Sequence, residues 1–128
     1  MVARIAKTAL PHALLGCYSN FTFLTGASHP DEMVAGAAAG GWQAVGIADV
    51  NSLAGVVRAH MAARDHSVRL VVGARLRPVE GPDVIVHPCD RSGYEGLSQL
   101  LSEANLRGSK AAPVLHLADL AQIGRAHV

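Results

Sequence analysis

Short apolar runs alternate with helical patterns along this chain, and this alternation limits the fold more than any other feature. Residues 43–49, QAVGIAD, are small and apolar, as expected for a strand buried on both faces. Residues 68–76, VRLVVGARL, form the strongest strand candidate, and residues 14–18 and 83–88 are two more. This order predicts an α/β fold with mainly parallel strands.

Capping signals predict three helices between and after these runs. Ser28 and Asp31 form a capping box, and the glycines at 40–41 end the first helix. The second helix is predicted over residues 51–64 and the third over residues 91–105. The apolar face of the second helix is predicted to hold Leu53, Val56, Val57 and either His60 or Met61. That of the third helix is predicted to hold Tyr94, Leu97, Leu100 and Leu101.

Composition indicates one domain without a strong overall charge. The chain has 128 residues, 50% of them hydrophobic and only 4% aromatic, which suits one core of small side chains. A formal net charge of +1 gives no global field to attract nucleic acid or an anionic membrane. Cys17 and Cys89 lack the close pairing of a zinc or redox motif, so both are expected to be buried thiols. With no apolar run of about 18 residues, we expect a soluble cytoplasmic protein.

Four segments carry a resemblance to a known family. They are SNFTFLTGASHPDEMV, AVGIADVNSLAGVVRAH, RLVVGARL and DRSGYEGLSQLLSEA, all within residues 14–104. In this order they resemble the N-terminus of bacterial C-family DNA polymerase α subunits, most of all the error-prone subfamily. The resemblance implies a polymerase and histidinol phosphatase (PHP) domain, a distorted TIM-like α/β barrel. We therefore expect an N-terminal extension over residues 1–13 and a partial PHP-like domain over residues 14–128, as a fragment of a longer chain.

The resemblance also implies where a metal site would lie. Active members of the family bind two or three divalent metals through converging histidines and carboxylates, as a water-activating cluster requires. Carried onto this chain, the ligand positions fall on Gly16, Tyr18, Thr25, Val50, Arg75 and Asp83. Most of these side chains cannot ligate a metal, so the resemblance implies a dismantled site with no cofactor and no catalytic residue. Arg75 is expected at the mouth of a residual pocket with Asp49, Asp83 and His87, where it pairs with one of the two acids.

Other constellations are weaker. A metal site with unusual ligands would need three of Asp49, Asp83, His87 and Tyr18, and His87 is expected at the carboxyl end of its strand, where α/β barrels place their chemistry. Cys17 has no base placed by the sequence to activate it. The glycine-rich stretches contain no phosphate-binding motif. Five arginines admit two interpretations: Arg58, Arg64, Arg69, Arg75 and Arg77. They could form a basic rim that contacts nucleic-acid phosphates, but dispersed solvated side chains are the simpler interpretation.

Three functional hypotheses follow. The first is a structural or interaction domain of an error-prone polymerase, a translesion and DNA-repair nucleotidyltransferase, whose partners are the rest of that chain or its accessory proteins. Such a domain would reach DNA only through the parent polymerase and would not contact a membrane. The second is a free-standing metal-dependent phosphoesterase, and the third is an interaction module or inactive gene fragment. An incomplete barrel further predicts a homo-oligomer, joined at an edge strand or through residues 1–12.

Overall fold

A computed structural model describes residues 12–124 and the backbone of residues 126–127. The predicted N-terminal extension therefore lies almost wholly outside the described residues. In chain order the elements are β1 (Ala13–Cys17), α1 (Pro30–Ala39), β2 (Ala44–Val50), α2 (Val56–His66), β3 (Arg69–Leu76), β4 (Val84–Pro88), α3 (Arg91–Arg107), a 3-10 helix (Leu117–Gln122) and β5 (Ala126–His127). In these residues, no helix is long and apolar enough to cross a membrane.

The strands form a single sheet in the order β1-β2-β3-β4-β5. β1, β2 and β3 are parallel, joined by α1 and α2, while β4 and β5 are antiparallel to their neighbours. Residues 77–83 are too few for a helical crossover, so β4 must return antiparallel to β3. The α/β class with a parallel core is confirmed, and the sheet is open, since β1 has no outer neighbour among the described strands.

All three helices pack on one face of the sheet. Leu70 packs with a cluster that includes Val34 of α1, while Ala74 and Leu76 belong to a second cluster with Leu97 of α3. Leu70, Ala74 and Leu76 are alternate residues of β3, and alternate residues of a strand point to the same face. The two clusters therefore lie side by side, as helices do on the outside of a TIM-like barrel.

The opposite face holds the residues that would line the interior of a closed barrel. No strand residue of either cluster comes from this face. A Cβ at Gly46 would lie 2.8 Å from Leu15 Cδ2, and one at Gly73 would lie 2.5 Å from His87 Nδ1. The side chains of Leu15 and His87 thus fill the space above two glycines. Leu15 is nevertheless 53% exposed, because the described strands stop short of closure.

The buried face of α2 differs from the prediction. Val57 and Met61, which the periodicity assigned to the core, are 69% and 61% exposed. The buried residues are Ala59, Ala62 and Ala63, which pack with α1. Small side chains allow the two helices to approach closely, so the alanine stripe faces the core and the larger residues face outward.

The helix boundaries follow the predicted signals to within a few residues. α1 begins one residue later than the capping box predicted, and the backbone N–H of His29 donates to the Glu32 carboxylate at 2.8 Å. α2 begins at Val56 rather than near residue 51. α3 begins after Asp90, whose carboxylate accepts a hydrogen bond from the backbone N–H of Gly93 at 2.9 Å. Its predicted apolar face is confirmed, with Leu97, Leu100 and Leu101 buried.

Candidate functional site

The candidate site lies where β1, β2 and β3 end. Parallel strands place their carboxyl ends at the same edge of a sheet, which is the edge where α/β folds bind ligands. Cys17 pairs with Ile47, and Val50 pairs with Arg75, so the residues leaving these strands are neighbours. Tyr18 is the first residue after β1. This edge therefore brings together most of the positions that the family resemblance singles out.

Asp49, near the end of β2, is the centre of a buried hydrogen-bond network. Its side chain is 2% exposed. Oδ1 accepts hydrogen bonds from the backbone N–H of Ser19 at 2.7 Å and from the Thr22 hydroxyl at 2.7 Å. Oδ2 accepts one from the Ser19 hydroxyl at 2.6 Å. Both donor residues belong to the loop after β1, so the carboxylate ties that loop to the end of β2.

The same hydroxyls extend the network into the backbone. Ser19 Oγ accepts a hydrogen bond from the N–H of Phe21 at 3.2 Å, and Thr22 Oγ1 accepts one from the N–H of Val50 at 3.1 Å. Each hydroxyl thus donates to Asp49 and accepts from a backbone amide. Every hydroxyl and carboxylate group in the network has hydrogen-bond partners, which is the condition for a buried polar cluster to be stable.

The remainder of the loop is compact and ends in an apolar tip. The N–H of Asn20 donates to the carbonyl of Ser28 at 2.8 Å, which closes the loop at its base. A Cβ at Gly26 would lie 2.0 Å from the Ser19 carbonyl oxygen, so only glycine fits there. At the tip, Phe23 is 83% exposed and Leu24 is 90% exposed.

Arg75 lies across the position where the resemblance places the His-x-His pair. Its guanidinium carbon is 4.9 Å from the centre of the Tyr18 ring, within cation–π range. A Cβ at Gly16 would lie 3.1 Å from Ile85 Cδ1 and 3.9 Å from the Arg75 guanidinium. Gly16 also has a left-handed backbone with φ of 73°. A histidine at this position would have a strained backbone, and its Cβ would require Ile85 to shift slightly.

The predicted pairing of Arg75 with Asp49 or Asp83 is wrong. Asp49 pairs in register with Ala74, so its side chain leaves the sheet on the opposite face from Arg75. Asp83 pairs instead with Arg77, whose Nε and Nη2 donate to it at 3.1 and 3.0 Å. The hydrogen bond from Arg77 and, more weakly, the charge of Arg75 hold the pKa of Asp83 below its usual value.

His87 does not join this edge. β4 is antiparallel to β3, so its carboxyl end lies at the opposite edge of the sheet from Asp49. The Nδ1 atom of His87 is 3.1 Å from the Val72 carbonyl oxygen. Asp83 and His87 are four residues apart on an extended strand, or about 13 Å. The predicted residual pocket of Asp49, Asp83, His87 and Arg75 is therefore not assembled.

The residues present do not fit a PHP-type metal cluster. Gly16 and Val50 carry no ligand atom, and Arg75 brings a positive charge to a position where cations would bind. The carboxylates of Asp49 and Asp83 are occupied by the hydrogen bonds described above. Across the described part of the chain, no group of three or more His, Cys, Asp or Glu side chains is placed to hold a metal ion.

The two cysteines also differ from expectation in one respect. Cys17 is half-buried, and burial raises the pKa of its thiol, which is the opposite of an activated nucleophile. Cys89 is exposed rather than buried. Both are free thiols.

Three residues of this site are not marked by the sequence pattern. Ser19 and Thr22 are not predicted as partners of Asp49, and Arg77 is predicted only as part of a basic rim. The available signal was the pair of hydroxyl residues directly after β1, because parallel neighbours place such a loop beside the end of the next strand. The loop position Thr25 is exposed and lies away from the Asp49 hydrogen bonds.

Comparisons with known proteins agree with this architecture. The family model for the PHP domain matches residues 15–125. The chain is 46% identical over 112 residues to the error-prone DNA polymerase of Dechloromonas aromatica and 48% identical over 107 residues to error-prone DNA polymerase 1 of Rhizobium meliloti. These matches cover 88% and 83% of this chain but only 11% and 10% of the polymerases, within their N-terminal regions.

Solved structures give the same fold. A Bifidobacterium adolescentis protein assigned to the metal-dependent phosphoesterases superposes with a TM-score of 0.61 at 25% identity, covering 77% of this chain and 36% of that protein. An amidohydrolase from Chromobacterium violaceum superposes with a TM-score of 0.52 at 22% identity, covering 75% and 37%. The chain thus spans about a tenth of its polymerase relatives and about a third of these structures. From the family match and the shared architecture together, the chain belongs to the PHP domain family.

Proposed function

We propose that the chain is a non-catalytic PHP domain of an error-prone DNA polymerase, with a structural or interaction role in place of metal chemistry. The observation that carries this proposal is the Arg75 guanidinium stacked on Tyr18 beside Gly16, at positions where the family resemblance places metal ligands. Asp49 itself lies on the helix-covered face of the sheet, where the hydrogen bonds from Ser19 and Thr22 satisfy a buried carboxylate and fix the loop that follows β1.

The proposal extends to the setting of the domain. Its partners would be the remainder of a polymerase chain or the accessory proteins of that polymerase, and DNA would reach the enzyme through the polymerase. Relatives 38–48% identical to this chain carry the name error-prone DNA polymerase, which supports a role in translesion synthesis and DNA repair. Two free thiols and the absence of a zinc or redox cysteine motif support a cytoplasmic location.

A metal-dependent phosphoesterase is the second candidate, and the Bifidobacterium adolescentis structure favours it. Both candidates can be tested in one experiment. Hydrolysis of p-nitrophenyl phosphate and of a 3′-labelled oligonucleotide is measured with and without added Mn²⁺. We expect background turnover only. Reproducible Mn²⁺-dependent turnover that is lost in Asp83→Asn, with thermal melting to establish that this variant retains its fold, would establish the phosphoesterase and refute our proposal.

A further inference from the structure

Both phenylalanines of this chain are exposed in the same loop. Phe21 is 42% exposed and Phe23 is 83% exposed, in a protein with two phenylalanines in total. A chain with only 4% aromatic residues has few large side chains for its core. Adjacent exposed aromatic side chains on one surface are a mark of an interaction site rather than of random exposure.

The loop holds the first of these side chains, Phe21, in a fixed position. The Asp49 network binds its first half, and the N–H of Phe21 donates to Ser19 Oγ. A Cβ at Gly55 would lie 3.2 Å from Phe21 Cδ2, so the Phe21 ring packs against the start of α2. A ligand that stacks on such a ring loses less ordering entropy than one that meets a mobile loop.

Two adjoining cavities open beside the loop. The smaller, about 250 Å³, is lined in part by Tyr18, Phe23 and Thr25. The larger, about 660 Å³, is lined in part by Asn51, Asn105 and Lys110. Phe21, Val50 and Arg77 line both cavities. The larger volume lies within the range of small-ligand sites, roughly 300–1,000 Å³, and the smaller lies just below it.

The charge around these cavities is positive. Among the described residues, neither lining contains an Asp or Glu side chain. Arg77 lines both cavities and forms an ion pair with Asp83. Lys110 has no acidic partner in residues 12–124. Arg75 adds a further positive charge beneath Tyr18. Asp49 is buried behind Thr22 with its oxygens already hydrogen-bonded. An anionic ligand is therefore favoured.

The geometry points to a binding site for single-stranded nucleic acid at this edge, in which Phe21 and Phe23 stack on bases while Arg77 and Lys110 contact phosphates. Single-strand binding proteins combine these two elements, a basic groove and exposed aromatic rings. Duplex DNA offers phosphates but no free base faces, so the exposed rings favour a single strand. The site needs no metal.

The test is fluorescence anisotropy with labelled dT20 and the full chain, in EDTA and at low salt. We expect a dissociation constant in the range of about 10⁻⁴ to 10⁻⁶ M, typical of non-specific nucleic-acid binding. Phe23→Ser should weaken binding about 5- to 100-fold, the loss expected for one stacked base. Its matched control is Leu106→Ser, which removes another exposed apolar side chain (86% exposed) at the end of α3.

The charge contribution is tested separately. Lys110→Gln should weaken binding and reduce the slope of log K against log salt by about 0.7, the value for one phosphate contact on a single strand. Arg91→Gln is the matched control, because Arg91 is an exposed arginine at the start of α3 that pairs with Glu95. Thermal melting of each variant establishes that the fold is retained. An rU20 strand shows which sugar the site prefers, and binding of either strand supports the inference.

Three outcomes would overturn the inference. One is the absence of dT20 binding at millimolar protein and low salt. Another is equal affinity for duplex DNA or for polyphosphate, which would leave no role for base stacking. The third is equal loss in Phe23→Ser and Leu106→Ser, or in Lys110→Gln and Arg91→Gln. Since every sample contains EDTA, failure here is independent of whether the chain has metal-dependent activity.

Discussion

At the scale of single residues, the function of this domain depends on what neutralises Asp49. A carboxylate that is 2% exposed must be paired, because an isolated buried charge is strongly destabilising. Ser19 and Thr22 pair this carboxylate with three hydrogen bonds. Asp49 is therefore expected to contribute to stability rather than to turnover.

Replacing Asp49 tests this role. Asp49→Ala removes the acceptor of three buried hydrogen bonds, and we expect the free energy of unfolding to fall by about 2–5 kcal/mol. The measurement is urea denaturation followed by circular dichroism. Asp65→Ala, at an exposed position of α2, is the control and should change stability by less than about 0.5 kcal/mol. Equal stability of the two variants would show that the network does not hold the loop.

The sequence could predict part of this arrangement. The run ending in Asp49 is predicted as a buried strand, as observed, and the prediction of lost metal ligands rests on Gly16 and Val50, two residues without a ligand atom. The hydrogen-bond donors are not predictable, because Ser19 is 30 residues from Asp49 and only the parallel pairing of β1 with β2 brings them together. The contact of Arg75 with Tyr18 is likewise set by strand register.

At the scale of elements, an ion pair and apolar packing join the C-terminal segment to α3. Arg107, in the last turn of α3, donates to Asp119 of the 3-10 helix, and Asp119 also accepts from the N–H of His116 at 2.9 Å. These hydrogen bonds, that from Arg107 first, hold the pKa of Asp119 below its usual value. Leu115 and Ile123 on either side are buried in the α3 cluster.

This pair gives a pH-dependent prediction. Because the pKa of Asp119 is lower in the folded state, its stabilisation is present above the unfolded pKa and is lost as the pH falls through the folded value. Arg107→Gln should therefore be less stable than the original chain at pH 7 and nearly equal to it in acid, where Asp119 is protonated in both. Thermal melts from pH 7 to pH 2 measure the difference. A difference that does not change with pH would contradict this account.

The helices show where pattern and packing diverge. Hydrophobic period predicted the buried face of α3 correctly, since its leucines are the largest apolar residues available. It failed for α2, because two closely packed helices bury Ala59 and Ala62 in preference to the larger Val57 and Met61. Periodicity identifies a helix more reliably than it identifies the side that faces a small-residue neighbour.

At the scale of the whole molecule, the open sheet leaves a surface to be covered. β1 has one strand neighbour among the described residues, and Leu14 and Leu15 are 42% and 53% exposed. Unpaired strand edges and exposed leucines favour association with another chain. In a polymerase the rest of the chain would cover this face, and in this chain a second copy is the expected cover.

We therefore predict a homodimer or larger assembly joined at the unpaired edge strand β1. Multi-angle light scattering at micromolar concentration should report a mass above the 13.3 kDa of one chain. Leu15→Lys, which places a charge on the uncovered face, should shift the population towards monomer. Val57→Lys is the control on the exposed side of α2. A stable monomer with a cooperative melt would show that the partial barrel needs no cover.

The central claim is that this PHP domain binds no metal cluster, because Gly16, Val50 and Arg75 stand where the family resemblance places ligands, and metal content tests this claim most directly. The purified chain is incubated with Zn²⁺, Mn²⁺ and Mg²⁺, dialysed, and analysed by inductively coupled plasma mass spectrometry. A tight site needs about three or four good ligands, so we predict far less than one metal ion per chain. One or more ions per chain that survive dialysis would contradict the account.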